Sequence, residues 1–544
     1  MILAGISISA LTNQGLFKNA QKAKKTTEEA QRKETALLDQ YESELNKYVE
    51  NGRWDGKVNK PELMTGMSAI KFTDPTDSAE GTVVDTTSSD AEWYNYENKK
   101  WANAKTEDGS MWVWIPRYAY RIHKENGVET QKFDIVFLVG LTDNYYDENG
   151  KLQTAQRQTS EDQTIVTNGD TYTVHPAFTN ESSINYANGG WDKELAGIWV
   201  AKFEAGYASG NNSATVKASS VNYSQDTSWV AKIEAGTSSD STQPARNWLD
   251  GEYSIKNSTT YEWKDGKETA IKYPTFQGLT YSMNYTNHND AYRISKVLTE
   301  SGNIYGLNSS STDSHLMKNS EWGAVSYLSQ SKYGLDGTNI VINNVYLNNT
   351  TKSVYAVTGC AGATADASGV STTIGALNNR TQSGVYVWTQ KNGTAASSTG
   401  TIYGIYDMAG GISERTSSLI NNKNDNLKTY GSQIIADLNN GKSTKYITIY
   451  PTGETLGQTM AQASQANYTN NTKIYGDAIK ETSTLGTGTN SWYSDCSDFV
   501  GLSTPFLLHG GYYGGTSISG CFAFGRTSGN GSYNRGFRSV LVSL

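Results

Sequence analysis

The sequence predicts an α+β protein, with one long N-terminal α-helix followed by a body of short strands and much irregular loop. Three observations lead there. From Gln14 to Glu50 the chain is highly charged, lacks proline and keeps apolar residues at helical spacing. After Trp54 no segment sustains a helical period for long, and short apolar runs alternate with Gly, Asn, Ser and Asp clusters. Two later segments regain a helical period briefly.

The N-terminal helix rests on Leu16, Ala20, Ala23, Ala30, Leu37, Tyr41, Leu45 and Tyr48, which share one face, and Gly52, Asp55 and Gly56 punctuate its end. Residues 1–52 are therefore taken as one helical unit. Residues 53–190 form the N-terminal β-rich part of the body, and residues 191–544 a second part. The clearest strands are Met111–Ile115 ahead of Pro116, Phe133–Leu138, Gly197–Phe203 and Tyr446–Tyr450. A helix is expected from Gly278–Met283 continuing toward Ala291–Val297. Another is expected over Ser320–Ser331, with Ser320 as cap and Trp322, Val325 and Leu328 on one face.

The chain has 544 residues, enough for about two to four domains, and its 8 prolines and 18% charged residues fit neither a spacer nor a solvating tail. Its net charge of -8 leaves no basic footprint, so nucleic acid is not expected as a partner. Tyr 35 against Phe 12, among Asn, Ser, Thr and Gly, is the palette of a binding surface, because tyrosine gives large rigid contact at low entropic cost. Cys360, Cys496 and Cys521 are too few for a disulfide scaffold; all three are expected to be free and buried, with a Cys496–Cys521 bridge as the lesser alternative.

Most sites for chemistry fail on spacing. Gly441-Lys442-Ser443 lacks the earlier glycine of a P-loop, which is Ala436 here, and no nucleophile elbow is present. His123, His175, His288, His315 and His509 stand singly, as surface or hydrogen-bonded structural residues. The acidic pairs Asp495/Asp498 and Asp143/Asp147 have calcium-like spacing, but this composition produces it by chance.

Three stretches carry family resemblances. Ile2-Leu-Ala-Gly-Ile-Ser-Ile-Ser-Ala-Leu-Thr12, followed by Leu16-Phe-Lys-Asn-Ala20 and a Lys/Glu-rich helix, resembles the latter half of a bacterial type IV pilin-like N-terminal helix. The cleavage motif and early glutamate of that family are missing, so the segment reads as truncated. The resemblance implies membrane or pilus association through this helix and an extracellular or cell-surface location; an ordinary soluble coiled-coil helix is the alternative. Tyr403-Gly-Ile-Tyr-Asp-Met-Ala-Gly-Gly-Ile-Ser-Glu414, with His509-Gly-Gly-Tyr-Tyr513, Arg526 and Gly536-Phe-Arg538, resembles the signatures of the formylglycine-generating-enzyme, or sulfatase-modifying-factor, family. Trp199–Glu204 and Lys318–Trp322 look like that family's early strand and central helix. The resemblance covers about residues 110 to 544 and implies a C-type lectin fold rich in irregular loops.

The family's oxidase activity is not expected to carry over. It needs copper on two cysteines, whose places fall on Ile518 and Ala523, and Cys521 matches neither. No catalytic residue and no cofactor is therefore expected. The family's structural calcium leaves Glu414 as a weak metal candidate, since Gly411 stands where the family has Asn and Ser413 where it has Trp.

The run Phe506–Arg538 resembles the variable region of proteins diversified by retroelements, within a terminal region 505–544. Phe522, Phe524 and Phe537 would be framework. The ligand-binding set would be His509, Tyr512, Tyr513, Gly514, Ser517, Ile518, Arg526, Thr527, Ser528, Asn530, Ser532, Tyr533, Asn534 and Arg535. The function this implies is a cell-surface or pilus-associated binding protein for an unknown protein or glycan. A formylglycine-generating-type oxidase and a structural pilus subunit are the alternatives.

Overall fold

The structure is a computed structural model. It describes residues 24–27, 58–72, 81–86, 92–158, 163–167, 169–180, 189–206, the strand pieces 249–250, 253–257, 260–263 and 270–271, then 274–284, 286–349, 353–362, 370–371, 385–422, 424–439, 444–450, 464–471 and 474–544. In chain order the elements used below are β1 (Ser68–Lys71), β2 (Thr82–Val83), β3 (Asn103–Lys105), β4 (Met111–Pro116), β5 (Tyr118–Glu125) and β6 (Val128–Phe137). They continue with β7 (Thr164–Thr167), β8 (Asp170–Val174), β9 (Gly197–Ala201), α1 (His288–Lys296), β10 (Thr312–Leu316) and α2 (Asn319–Ser329). The C-terminal part holds β11 (Ser413–Arg415), β12 (Ser418–Ile420), β13 (Thr448–Tyr450), β14 (Phe506–His509), β15 (Phe524–Thr527), β16 (Arg535–Phe537) and β17 (Ser539–Ser543).

Every residue of β4 and β9 is buried, so these strands have no solvent face and belong inside a sheet covered on both sides. They lie at the centre of an antiparallel seven-stranded sheet in the order β10-β17-β9-β4-β3-β1-β2. Register pairs Trp114 with Trp199 across β4 and β9, and their rings lie 5.3 Å apart. Strands from either side of residue 190 thus share one sheet. A second antiparallel sheet, β6-β5-β8-β7, follows directly from β4. Its β6 alternates in burial from Lys132 onward, with Phe133, Ile135 and Phe137 inward, as a strand with one wet face should.

Helix α2 is buried along its whole length. Its Glu321 reaches back to the Lys318 backbone N–H at 2.8 Å, so the cap lies two residues before the expected Ser320. Trp322 donates to the Cys521 carbonyl at 2.8 Å, which ties the helix to the C-terminal segment. The expected helix at Gly278–Met283 is absent; α1 starts at His288, where Asn287 caps by accepting from the Asp290 N–H at 2.9 Å. A small C-terminal sheet, β15-β14-β11-β16, has β11 antiparallel to β14 and parallel to β16. β12 and β13 form a separate parallel pair.

The expectation of an α+β chain headed by a long helix is corrected here. The described residues are mostly β-sheet with few short helices, and no long N-terminal helix is evident among them. Of the charged N-terminal stretch only residues 24–27 are described, as exposed helix. The pilin-like stretch Ile2–Thr12 lies outside the described residues. The reason for the strand-rich body is that its apolar residues come as short β-branched and aromatic runs whose buried faces are satisfied by sheet packing.

Candidate functional site

Three buried carboxylates and one arginine fix the segment that carries the site. Arg538, fully buried, donates to both oxygens of Glu414 at 3.0 and 2.6 Å and to the carbonyls of Ala201 and Tyr406. This bidentate pair locks the end of β9, the 403–414 signature and the start of β17 together. Asp407 accepts from Asn343 Nδ2 at 2.8 Å and from the Gly359 N–H at 2.9 Å. Glu204 accepts from Ser282 Oγ and from the Ile412 N–H. Burial, with Asp407 and Glu414 nearby, pushes the Glu204 carboxyl well above the usual carboxylate range. Burial also raises Glu414, with Arg538 opposing.

These contacts bear on the metal candidate. Both Glu414 oxygens are held by a guanidinium, so a calcium ion there would have to displace a paired positive charge. Gly411 has φ +66°, and a Cβ there would sit 2.7 Å from Glu204 Oε1, so the Glu204 carboxylate fills the space that a side chain at this position would need. Asp143 pairs with Arg117 and Arg157, Asp147 closes its own turn, and Asp498 pairs with Arg526. Among the described residues no group of three or more His, Cys, Asp or Glu is placed to hold a metal ion.

Around this anchor the C-terminal residues separate into places the sequence could not distinguish. The loop after β14 and the loop before β16 both hydrogen-bond the 411–413 segment. The Tyr513 N–H donates to the Gly411 carbonyl at 2.8 Å, and the Ser413 N–H donates to the Asn534 carbonyl at 2.9 Å. The loop of Tyr512 and Gly514 and the loop of Ser532, Tyr533, Asn534 and Arg535 are thereby tied to neighbouring residues of one segment, and the two stretches are referred to together as the rim. Tyr533 is 39% exposed. Tyr513 is largely buried, stacked on Tyr346 at 4.7 Å and edge-on to Tyr512 at 5.4 Å, so it supports the rim more than it presents itself.

The loop between Tyr512 and Ser519 is closed by one side chain. Ser519 Oγ accepts from the Tyr512 N–H at 3.1 Å and donates to the Tyr512 carbonyl at 3.0 Å. Gly511, at φ +68°, lets the backbone pass: a Cβ there would lie 2.3 Å from Ser519 Oγ. Gly514, Ser517 and Ile518 project from this loop, exposed. The framework beneath is apolar, with Phe522, Phe524 and Phe537 all buried.

Three members of the expected ligand set lie elsewhere. His509 is 1% exposed and stacked on Trp322 at 5.1 Å; among the described residues neither ring nitrogen has a hydrogen-bond partner of good geometry, and only the Ala523 backbone opposes the effect of burial. Burial holds its pKa down at about 3, so it is a neutral ring in the core and not a ligand contact. Thr527 is 1% exposed, opposite Phe506 in the sheet, and is likewise interior. Arg526 is exposed but pairs with Asp498 at 3.1 Å and with Ser464, on a different part of the surface from the rim. The causes differ: all four residues of β14 are buried, which takes in His509, and Thr527 is interior in the paired β15, whereas Arg526 is taken up by an ion pair.

Of the other histidines, His123 is partly exposed beside Asp134, and His175 and His315 are hydrogen-bonded structural residues as expected, whereas His288 is neither. His288 is buried on Phe506 at 4.1 Å, with both ring nitrogens unpartnered, and His175 is buried among Tyr118, Tyr120 and Tyr327. His315 sits between Asp313 at 3.0 Å and Glu321 at 2.9 Å, and these two carboxylates raise its pKa against the effect of burial. The cysteines are unpaired, and Cys496 is half-buried where a buried thiol was expected. Burial pushes the Cys521 thiol well up, which disfavours the thiolate that copper binding needs; Ile518 is exposed and Ala523 buried.

Sequence reasoning missed Tyr346, Asn284 and Arg415. Tyr346 stacks on Tyr513, Asn284 Nδ2 donates to the Tyr533 carbonyl at 3.1 Å, and Arg415 donates to the Thr286 and Asn530 carbonyls. Each comes from far along the chain, so no local spacing signals it. No known protein family matches the chain, and no curated protein resembles it.

Proposed function

We propose that the chain is a cell-surface or pilus-associated protein that binds a protein or glycan ligand at the rim formed by Tyr512, Gly514, Ser532, Tyr533, Asn534 and Arg535, with Ser517 and Ile518 at its border. One observation carries this reading. Two loops of mixed Tyr, Ser, Asn, Gly and Arg composition are pinned two residues apart on one buried, ion-paired segment, so adaptable side chains are presented by a rigid base. Rigid aromatic anchors with small polar neighbours are what a recognition surface needs, because anchors supply most interface energy and small residues let the surface adapt.

The resemblance to retroelement-diversified proteins supports the same reading. Several of the residues expected to vary are at the surface, whereas the three framework phenylalanines are buried. Sequencing this locus across a clonal population tests it. Variation should concentrate at the exposed rim and loop positions and spare His509, Thr527 and the phenylalanines. Variation spread evenly along the gene, or absent from residues 505–544, would overturn it. The location rests on the N-terminal resemblance; among the described residues no helix is long and apolar enough to cross a membrane.

A further inference from the structure

Two arginines that sit together under the rim differ from the ion-paired arginines of the described residues. Arg117, Arg121, Arg157, Arg526 and Arg538 each meet a carboxylate within ion-pair distance. Arg415 and Arg535 meet none among the described residues. Arg415, fully buried on β11, donates Nε to the Thr286 carbonyl at 2.9 Å and Nη2 to the Asn530 carbonyl, and its Nη1 has no hydrogen-bond partner. Arg535, on the adjacent parallel strand β16, turns Nη1 to the same Asn530 carbonyl at 3.4 Å and to Asn530 Oδ1 at 2.8 Å. Among the described residues its hydrogen bonds are made through Nη1, which leaves the Nε/Nη2 edge unused.

Two guanidiniums thus converge on one neutral residue. Burial lowers the pKa of each, with Tyr533 opposing at Arg535; Arg535 lowers that of Arg415 further, with Asp290 and Tyr430 opposing. An unpaired positive charge in a low-dielectric setting is costly, and a carboxylate brought to it relieves that cost through a short, charge-assisted contact. Arg535 is partly exposed beside Tyr533, and the open Nε/Nη2 edge of a guanidinium matches the two oxygens of a carboxylate.

We infer that the ligand bound at this rim carries a carboxylate, which Arg535 receives through its free edge while Arg415 adds a second positive charge behind it. This rests on the rim being a ligand face. The ligand is then an acidic glycan or an acidic peptide segment, which share that chemistry.

The test is a calorimetric titration of the full chain with sialyllactose against lactose, and with a hexaglutamate peptide against hexaglutamine. It is run on the wild type, Arg535→Gln and Asn530→Asp, with folding checked by thermal melting. Asn530→Asp places an internal carboxylate against both guanidiniums. One acidic probe should bind at least about tenfold tighter than its neutral twin, and either substitution should remove that preference. The acidic probe that binds identifies the source. Asn530→Asp should also melt at or above the wild-type temperature. Equal binding of acidic and neutral probes would overturn the inference while leaving the ligand face standing. So would a preference that survives both substitutions. Failure of both acidic probes would overturn it as well, and the population-sequencing test of the face would be unaffected.

Discussion

His509 offers a test in which pH is the perturbation. Its ring is buried against Trp322 with no hydrogen-bond partner of good geometry on either nitrogen among the described residues, and its pKa falls from the ordinary 6.5 to about 3. Between those values the unfolded chain holds the proton and the folded chain does not, so stability falls as pH falls through this window. At about pH 5 the unfolded histidine is about 1.5 pH units below its pKa while the folded one is still neutral, a loss of about 2 kcal/mol relative to about pH 8. His288, held down by burial in the same way, adds to that loss, whereas His315, raised by its two carboxylates, adds stability that is present below 6.5 and lost as pH rises. The contribution of His509 is isolated by comparing the wild type with His509→Phe, which keeps a ring on Trp322. Urea unfolding of both proteins at several pH values gives the difference. The variant should match the wild type within about 1 kcal/mol at about pH 8 and exceed it by about 2 kcal/mol more at about pH 5. Parallel pH profiles would refute the buried, neutral placement of His509.

Other substitutions probe the anchor and the rim. Gly411→Ala should cost about 2–5 kcal/mol by thermal or urea unfolding, because its φ is +66° and the new Cβ would press on the Glu204 carboxylate. Arg538→Met should cost about 3–5 kcal/mol by leaving Glu414 buried and unpaired, and Glu414→Leu added to it should recover much of that loss. Ser517 and Ile518, exposed on the loop, should accept Ala, Asn or Tyr within about 0.5 kcal/mol, whereas Thr527→Arg, which buries a charge, should cost more than about 2 kcal/mol or prevent folding; expression and melting of the variants decide.

Part of this architecture was legible because it is local. The apolar run around Trp112–Ile115 and the run around Ile198–Val200 read as strands and are strands, and the segment at Trp322 reads as a helix and is one. Helix starts were misplaced: the cap of the second helix falls at Lys318, closed by Glu321, and not at Ser320, and the first helix starts after Asn287 and not at Gly278. The long N-terminal helix was read from charge and period alone, signals that carry no information about packing partners.

The sequence by itself determined the chemistry available: an acidic chain without a metal-ligand or nucleophile pattern, with tyrosine and small polar residues crowded near its C-terminus. Only the tertiary structure decided which of those residues reach solvent. Pairing of β14 with β15 turned His509 and Thr527 inward, Asp498 claimed Arg526, and the 411–413 segment tied down Tyr513 from one loop and Asn534 from the other. The physical reason is that exposure and charge compensation depend on neighbours brought from far along the chain. Asn530 lies 115 residues beyond Arg415, and no spacing within the sequence announces that the two guanidiniums meet there.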